Sequence, residues 1–297
     1  MTATYTGRFA PTPSGPLHFG SIIAALAGFL DARSHGGRWL LRIDDLDPPR
    51  VRPGVTDSIL HTLESLGLKW DGEVLYQSRR GEAYREGLRV LEEKKKLYRC
   101  YCPRRLTRGR PYPGTCRRRK DSPASRRYAL RVITGADEVG FHDGIQGQFG
   151  LSLQDESGDF IIRRADGLFA YHLANVVDDA WQGVTHVVRG ADLLAATPAQ
   201  IYLQDLLGLP SPLYRHVPVA LRRDGSKISK SADAGHSLQH ASPVQVLLHA
   251  LRFLGQGPEP VLEQAGLDEL LDWAARHWRL DAVPRLPGQD YRQAFSP

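Results

Sequence analysis

Arg8-Phe9-Ala10-Pro11-Thr12-Pro13-Ser14-Gly15-Pro16-Leu17-His18-Phe19-Gly20-Ser21 is the stretch that decides the fold of this 297-residue chain. Thr4 to Ala10 reads as a short strand, and Pro11 to Pro16 is a run of turn formers. From His18 to Leu30 the apolar residues Ile22, Ile23, Leu26, Phe29 and Leu30 recur at helical spacing. Gly36-Gly37 breaks that helix, Arg38 to Ile43 reads as a second strand, and Val55 to Leu66 as a second helix closed by Gly67. Strand, helix, strand, helix predicts an α/β fold with a parallel sheet and crossover helices. In such sheets ligands bind at the carboxyl ends of the strands, and helix N-termini favour phosphate. His18, delivered by a Pro/Gly loop to the start of a helix, is therefore a candidate donor to a phosphate oxygen. Gly20 would let a nucleotide base lie close to the backbone.

The middle of the chain changes character. From Cys100 to about Arg127 it is rich in Arg, Pro, Gly and Cys without period; Tyr128 to Val132, Phe149 to Leu153 and Asp159 to Arg163 read as short antiparallel strands. After Ala170 the α/β pattern returns, with a helix through Val176, a strand from Val184 to Arg189 and a helix from Thr197 to Leu207. The sheet-forming pattern is thus interrupted by an insertion and resumed. Two amphipathic helices are predicted near the end, Pro243 to Leu254 and Pro258 to Trp278, and the Pro-containing tail after Leu280 is expected to be loosely held.

Composition narrows the function classes. A hydrophobic fraction of 41% and a charged fraction of 24% are those of a soluble globular protein. The apolar run Ile22 to Leu30 is too short to span a bilayer, and no secretory n-region precedes it, so neither membrane nor export is expected. Three cysteines argue against a disulfide framework and for the reducing cytoplasm. Charge is unevenly placed. Between Arg99 and Arg131 stand twelve Lys or Arg and one acid, Asp121; that segment is net +11 in a chain of net +6, so the remainder is net −5. A localised basic face is the footprint of a polyanion partner, with nucleic acid the usual one.

Two further clusters carry chemistry. Asp224-Gly225-Ser226-Lys227-Ile228-Ser229-Lys230-Ser231 sets two lysines around a serine on a Gly-containing loop, where mobile positive charge can neutralise a leaving pyrophosphate. Cys100, Cys102 and Cys116 are the three cysteines of the chain, gathered in seventeen residues. Cys-x-Cys with a third Cys in one Pro/Gly-rich loop suits tetrahedral zinc in a structural role, with water, a carboxylate or a phenolate as fourth ligand. Free reduced thiols are the other reading.

Together, the His18 and Lys227–Lys230 motifs resemble the HIGH and KMSKS motifs of class I aminoacyl-tRNA synthetases, and RFAPTPSGPLHFG resembles the glutamate branch. The resemblance runs from about Tyr5 to Ser231. Phe19, Ser21 and Ile228 depart from the usual Ile, His and Met. What it implies is a Rossmann-like parallel sheet interrupted by a zinc-bearing insertion. Residues 1–97 and 181–240 would be the catalytic halves, 98–180 the insertion, and 241–297 a short helical region. His18 and Lys230 would stabilise charge in catalysis, and His18, Gly20, Ser21, Lys227 and Lys230 would bind ATP accompanied by Mg²⁺. Arg8 would face the γ-carboxylate of L-glutamate, with Phe9, Ala10, Pro11 and Thr12 lining the pocket. Asp44, in Leu41-Arg42-Ile43-Asp44-Asp45, would hold the α-ammonium group where the family usually has Glu, and Tyr171 and Arg189 would complete the pocket. Zinc-bearing relatives nominate Tyr112 as fourth ligand.

Only 66 residues follow Ser231, too few for the helical anticodon-binding region of a glutamyl-tRNA synthetase. The whole pattern resembles the glutamyl-queuosine tRNA(Asp) synthetase family. That resemblance implies a monomer that activates glutamate and esterifies queuosine at the wobble position, gripping the tRNA(Asp) anticodon stem-loop. A compact glutamyl-tRNA synthetase and a non-catalytic RNA-binding remnant are the two other readings weighed; the retained His and Lys of both phosphate motifs speak against the remnant.

Overall fold

The computed structural model describes residues 4–103, 111–119, 127–228 and 241–292. Ser229, Lys230 and Ser231 lie outside the described residues, as do residues 104–110 and 120–126 of the basic segment.

β1 (Thr6–Phe9), α1 (Phe19–Ser34) and β2 (Arg38–Ile43) form the first crossover, β1 lying parallel to β2 with Thr6 opposite Arg38. All of β1 and all of β2 after Arg38 are buried, as strands covered on both faces must be. α2 (Val55–Ser65) returns the chain to β3 (Leu75–Tyr76), parallel to β2. α3 (Gly81–Glu93) then leads to β4 (Leu97–Cys100).

β4 opens an antiparallel unit. It pairs with β5 (Ala129–Val132), while β6 (Glu138–Asp143) and β7 (Gly147–Ser152) make a hairpin. α4 (Leu153–Glu156), a single turn capped by Ser152, precedes β8 (Ile161–Arg163), which pairs antiparallel to β5. α5 (Tyr171–Trp181), β9 (His186–Gly190), α6 (Thr197–Leu207) and β10 (Leu213–Val217) resume the parallel pattern, β10 lying parallel to β9. Thr185 N–H donates to Thr6 O at 2.9 Å, which sets β9 beside β1 and joins the two halves.

β11 (Val219–Leu221) follows directly. α7 (Pro243–Phe253) starts on a capping box, Ser242 Oγ accepting from Gln245 N–H while Gln245 Oε1 accepts from Ser242 N–H; such a cap contributes about 1 kcal/mol. α8 (Leu267–His277) packs with α7 against α1. The single helix expected from Pro258 to Trp278 is instead a 3-10 turn, Pro260–Gln264, and then α8. Gly266 stands at the N-cap of α8, so the break falls at a residue that favours neither piece's interior. The tail is also corrected. β12 (Gly288–Asp290) pairs parallel to β11, Val283 is buried, and Gln289 Nε2 donates to Phe253 O at 2.6 Å. The open edge of β11 supplies partners that a polar, Pro-containing tail does not advertise. Among the described residues no helix is long and apolar enough to cross a membrane.

The main core lies between the sheet and α1, α7 and α8, around Ile23, Leu26, Leu30, Trp39, Leu41, Leu247 and Phe253. A second, around Tyr84, Leu91, Ile162, Leu173 and Leu203, joins α3, α5 and α6 to the antiparallel unit.

Candidate active site

A cavity of about 1070 Å³ opens where β1, β2 and β9 end, and Arg8, Phe9, Ala10, Pro11, Thr12, His18, Gly20, Ser21, Asp44, Tyr171, Arg189 and Lys227 all line it. The sequence-predicted residues that fall within the described chain, zinc ligands aside, thus share one space.

His18 caps α1 with its ring. Nδ1 accepts from Ser21 N–H at 3.2 Å, so the neutral ring carries its proton on Nε2, which lies 3.3 Å from Ser21 Oγ. Burial holds the ring below the usual imidazole range despite the opposing charge of Asp192. His18 is therefore a neutral donor at a helix N-terminus, suited to a phosphate oxygen. A Cβ at Gly20 would stand 3.2 Å from His18 Cε1 and Nδ1. The glycine keeps room for that ring. Lys227 reaches across the rim, with Nζ 3.1 Å from Asp192 Oδ2.

Deeper in, four charged side chains interlock. Arg8 Nε and Nη2 donate to Asp179 Oδ1 and Oδ2 at 3.2 and 3.4 Å, contacts that do not use Nη1. Arg42 Nη1 donates to Asp179 Oδ1 at 2.5 Å and its Nε to Asp44 Oδ1 at 2.8 Å. Asn175, oriented to satisfy its neighbours, donates to Asp179 Oδ2 at 3.1 Å and accepts from Arg42 Nη2 at 2.8 Å. Burial raises Asp179, but Arg8 and Arg42 outweigh it and hold its carboxyl below the usual range. Asp44 is also paired with Arg42, but there burial outweighs the guanidinium and pushes the carboxyl up to about 6.

Arg189 is held differently. Nε donates to His216 Nε2 at 3.0 Å, Nη2 to Thr197 Oγ1 and Gln200 Oε1, both at 2.8 Å, and Nη1 lies 3.5 Å from Tyr171 Oη. These partners are all uncharged, because burial lowers His216 to about 4 even though Asp143 opposes it. Among the described residues Arg189, only 5% exposed, has no carboxylate at ion-pair distance. Burying a guanidinium without a counterion is costly, and Arg189, on the cavity lining, is chemically suited to pair with an anion.

The catalytic domain model of the class I tRNA synthetases (E and Q) matches residues 5–263 of the chain. The glutamyl-Q tRNA(Asp) synthetase of Dechloromonas aromatica (strain RCB) is 49% identical over 296 residues, 96% of this chain and 97% of that one. Its counterpart in Ectopseudomonas mendocina (strain ymp) is 51% identical over 290 residues, again 96% and 97%. The chain belongs to the glutamyl-Q tRNA(Asp) synthetase family. It is thus a class I synthetase-type ligase of the α/β kind. A glutamate tRNA ligase from Elizabethkingia meningosepticum CCUG26117, crystallised with its amino acid, superposes with a TM-score of 0.83 at 23% identity, covering 98% of this chain and 68% of that one. That likeness concerns the fold.

Some lining residues of this glutamyl-Q tRNA(Asp) synthetase family member were not legible in its motifs. Asn175, Arg50, Arg52 and Asp192 face the cavity. Arg50 and Arg52 follow β2 in Asp47-Pro48-Pro49-Arg50-Val51-Arg52, and the rule that ligands gather at carboxyl ends of strands could have found them. Asn175 sits four residues, one helical turn, after Tyr171 on α5, and the same spacing could have nominated it.

The three cysteine Sγ atoms lie within 4.8 Å of one another. Tyr112 Oη stands 3.4 Å from Cys100 Sγ and 3.5 Å from Cys102 Sγ, and Cys102 Sγ is 3.6 Å from Cys116 Sγ. Burial raises the Cys116 thiol, but hydrogen bonds from Tyr112, the Tyr101 backbone and the two other thiols bring it down to about 7. Three thiols and a phenol converging on one point is a donor set that fits a soft divalent metal. Gly158 holds Tyr112 there. Tyr112 N–H donates to Ser157 O at 2.9 Å, and a Cβ at Gly158 (φ +62°) would stand 2.1 Å from Tyr112 O.

Proposed function

We propose that this enzyme activates glutamate with ATP, without tRNA, as glutamyl-AMP and transfers the glutamyl group to queuosine at the wobble position of tRNA(Asp). The buried charges at the inner end of the cavity carry the reading. Arg8, Asp44 and Arg189 line the cavity with Arg42 and Asp179 packed behind them. Together these five leave one positive charge, the complement of glutamate with its two carboxylates and one ammonium. Arg50, Arg52 and Lys227 against Asp192 leave further positive charge on the lining for the phosphates of ATP. Arg8 presents Nη1 to the γ-carboxylate, Asp44 takes the ammonium, and Arg189 supplies the uncompensated cation.

In the first step an oxygen of the glutamate α-carboxylate attacks the α-phosphorus of ATP, forming the mixed anhydride and releasing pyrophosphate. His18 and Lys227 donate to the phosphates; Lys230 joins them. Mg²⁺ bound with ATP adds charge neutralisation. A hydroxyl of the queuosine cyclopentenediol then attacks the adenylate carbonyl, and AMP leaves as the ester forms. Residues 98–180 grip the anticodon stem-loop with their basic segment, between the catalytic halves 1–97 and 181–240. Zinc held by Cys100, Cys102, Tyr112 and Cys116 would cross-link that segment. The reaction belongs in the cytoplasm, with its tRNA.

Transfer of labelled glutamate is the test, to tRNA(Asp) with queuosine, tRNA(Asp) without it, and tRNA(Glu). Label only on the first, surviving periodate oxidation of the 3′ end, is expected. Label on the 3′ end of tRNA(Glu) would make the chain a compact charging enzyme instead.

A further inference from the structure

We infer that Asp143 and His216 form a positioning relay that aims Arg189 at the substrate carboxylate by fixing the tautomer of a buried histidine. His216 and Asp143 are both fully buried. Asp143 Oδ2 lies 2.6 Å from His216 Nδ1, and Asp143 Oδ1 accepts from the backbone N–H groups of Ile145, Gln146 and His216 at 3.0, 2.8 and 3.1 Å. With three backbone donors on one oxygen, the carboxylate is held as an acceptor and keeps the imidazole proton on Nδ1. Nε2 is then an obligate acceptor, and it meets Arg189 Nε–H at 3.0 Å. Thr197 and Gln200 hold Nη2 on the other side, so the guanidinium plane is fixed from two directions by neutral groups. Its positive charge is left for the ligand.

The relay crosses the architecture. Asp143 ends β6 in the antiparallel hairpin, His216 is in β10, and Arg189 is in β9. Gln146 Nε2 donates to His216 O at 2.8 Å, stitching the hairpin turn to β10. The hairpin thereby reaches the amino-acid pocket, although Asp143 is absent from the residues that line it. A carboxylate is required at residue 143. An amide there would satisfy the backbone N–H groups with its oxygen and turn N–H toward His216, pulling the imidazole proton to Nε2. That nitrogen would then face Arg189 donor to donor.

The inference rests on the glutamate reading of the pocket, and the experiment separates the two. Glutamate-dependent ATP–pyrophosphate exchange is measured for the full chain and for Asp143→Asn, His216→Gln and His216→Phe, with the imidazole tautomer read from ¹⁵N shifts. Asp143→Asn should move the proton to Nε2 and raise KM for glutamate about tenfold or more, with KM for ATP unchanged. His216→Gln, which offers an acceptor oxygen to Arg189, should stay close to wild type. His216→Phe should lose glutamate affinity as Asp143→Asn does. A tautomer change that leaves KM for glutamate unmoved would overturn the relay, and so would equal loss for glutamate and ATP. If Asp143→Asn fails to fold, the Gln and Phe variants decide, equal loss in both overturning the relay. A wild-type enzyme that exchanges only with another amino acid would sink the glutamate reading, and the KM split would be read for that amino acid.

Discussion

At the scale of single residues, Asp44 sets a conflict between stability and binding. Its carboxyl, buried and raised from 3.8 to about 6, ionises in the unfolded chain before it does so in the folded one. Its contribution to stability is therefore complete below about pH 3.8 and lost as pH rises through about 6, a cost on the order of 3 kcal/mol at neutral pH. In the proposed pocket the ionised form is the one that would hold the ammonium group. KM for glutamate should thus rise as pH falls through about 6, and Asp44→Asn should raise KM at pH 7.5 while raising the melting temperature of the ligand-free protein. A variant that lost both would show that Asp44 serves the fold alone. Arg8→Ala should lower kcat/KM for glutamate about 100-fold while ATP still binds, the loss expected for charge-assisted hydrogen bonds. Motif reading placed Arg8, Asp44, Tyr171 and Arg189 because each sits in or beside a recognisable run. Asp179 and His216 escaped because their partners are remote in sequence. Arg42 is 137 residues from Asp179, and Asp143 is 73 from His216, distances across which no periodicity operates.

Elements were legible where their signal is local. β2 emerges over Arg38–Ile43 and α6 over Thr197–Leu207, as their apolar patterns predict. α3 lies outside the predicted elements although Tyr84, Leu88 and Leu91 recur on one buried face, a helical signal that was present in the sequence. β4, β6 and β10 also lie outside the predicted elements; β4 and β10 take partners about thirty residues away in the chain, whereas β6 alternates between exposed and half-buried residues, a period-two signal that was present in the sequence. Within the antiparallel unit Asp159 is a hub, accepting from Tyr98 Oη at 2.6 Å, Thr134 N–H at 2.8 Å and the Arg117 guanidinium. Asp159→Asn should destabilise this unit by roughly 2 kcal/mol, the scale for weakening hydrogen bonds to one buried charge whose Arg117 partner is exposed. Limited proteolysis should then cut first between β4 and β5. On the proposed zinc reading of the Cys100, Cys102, Tyr112 and Cys116 cluster, chelation should produce the same cleavage and spare glutamate-dependent pyrophosphate exchange. Equal loss of exchange would mean that the metal supports the whole fold.

For the whole molecule, the sequence supplied the interrupted parallel sheet but not how its end is fastened. Trp278 Nε1 donates to Asp31 Oδ1 at 3.0 Å, Gln146 Nε2 to Leu286 O at 3.1 Å, and β12 lies along β11. These contacts tie the last described turns to α1, to the hairpin and to the strand that precedes Lys227. Ending the chain after Leu286 removes β12, and KM for ATP should rise with little change in KM for glutamate. A truncated protein with an unaltered KM for ATP would show that β11 supports the Lys227 loop unaided.

The pairing of β11 with β12 also orders events during synthesis. β11 is translated well before β12, and a parallel partner cannot be supplied by a local turn. Until β12 has been made, the strand that leads to Lys227 waits with one edge open. The Lys227 side of the cavity is therefore completed after the side built by Arg8 and Arg189, so a growing chain would acquire its proposed amino-acid pocket before its proposed nucleotide site.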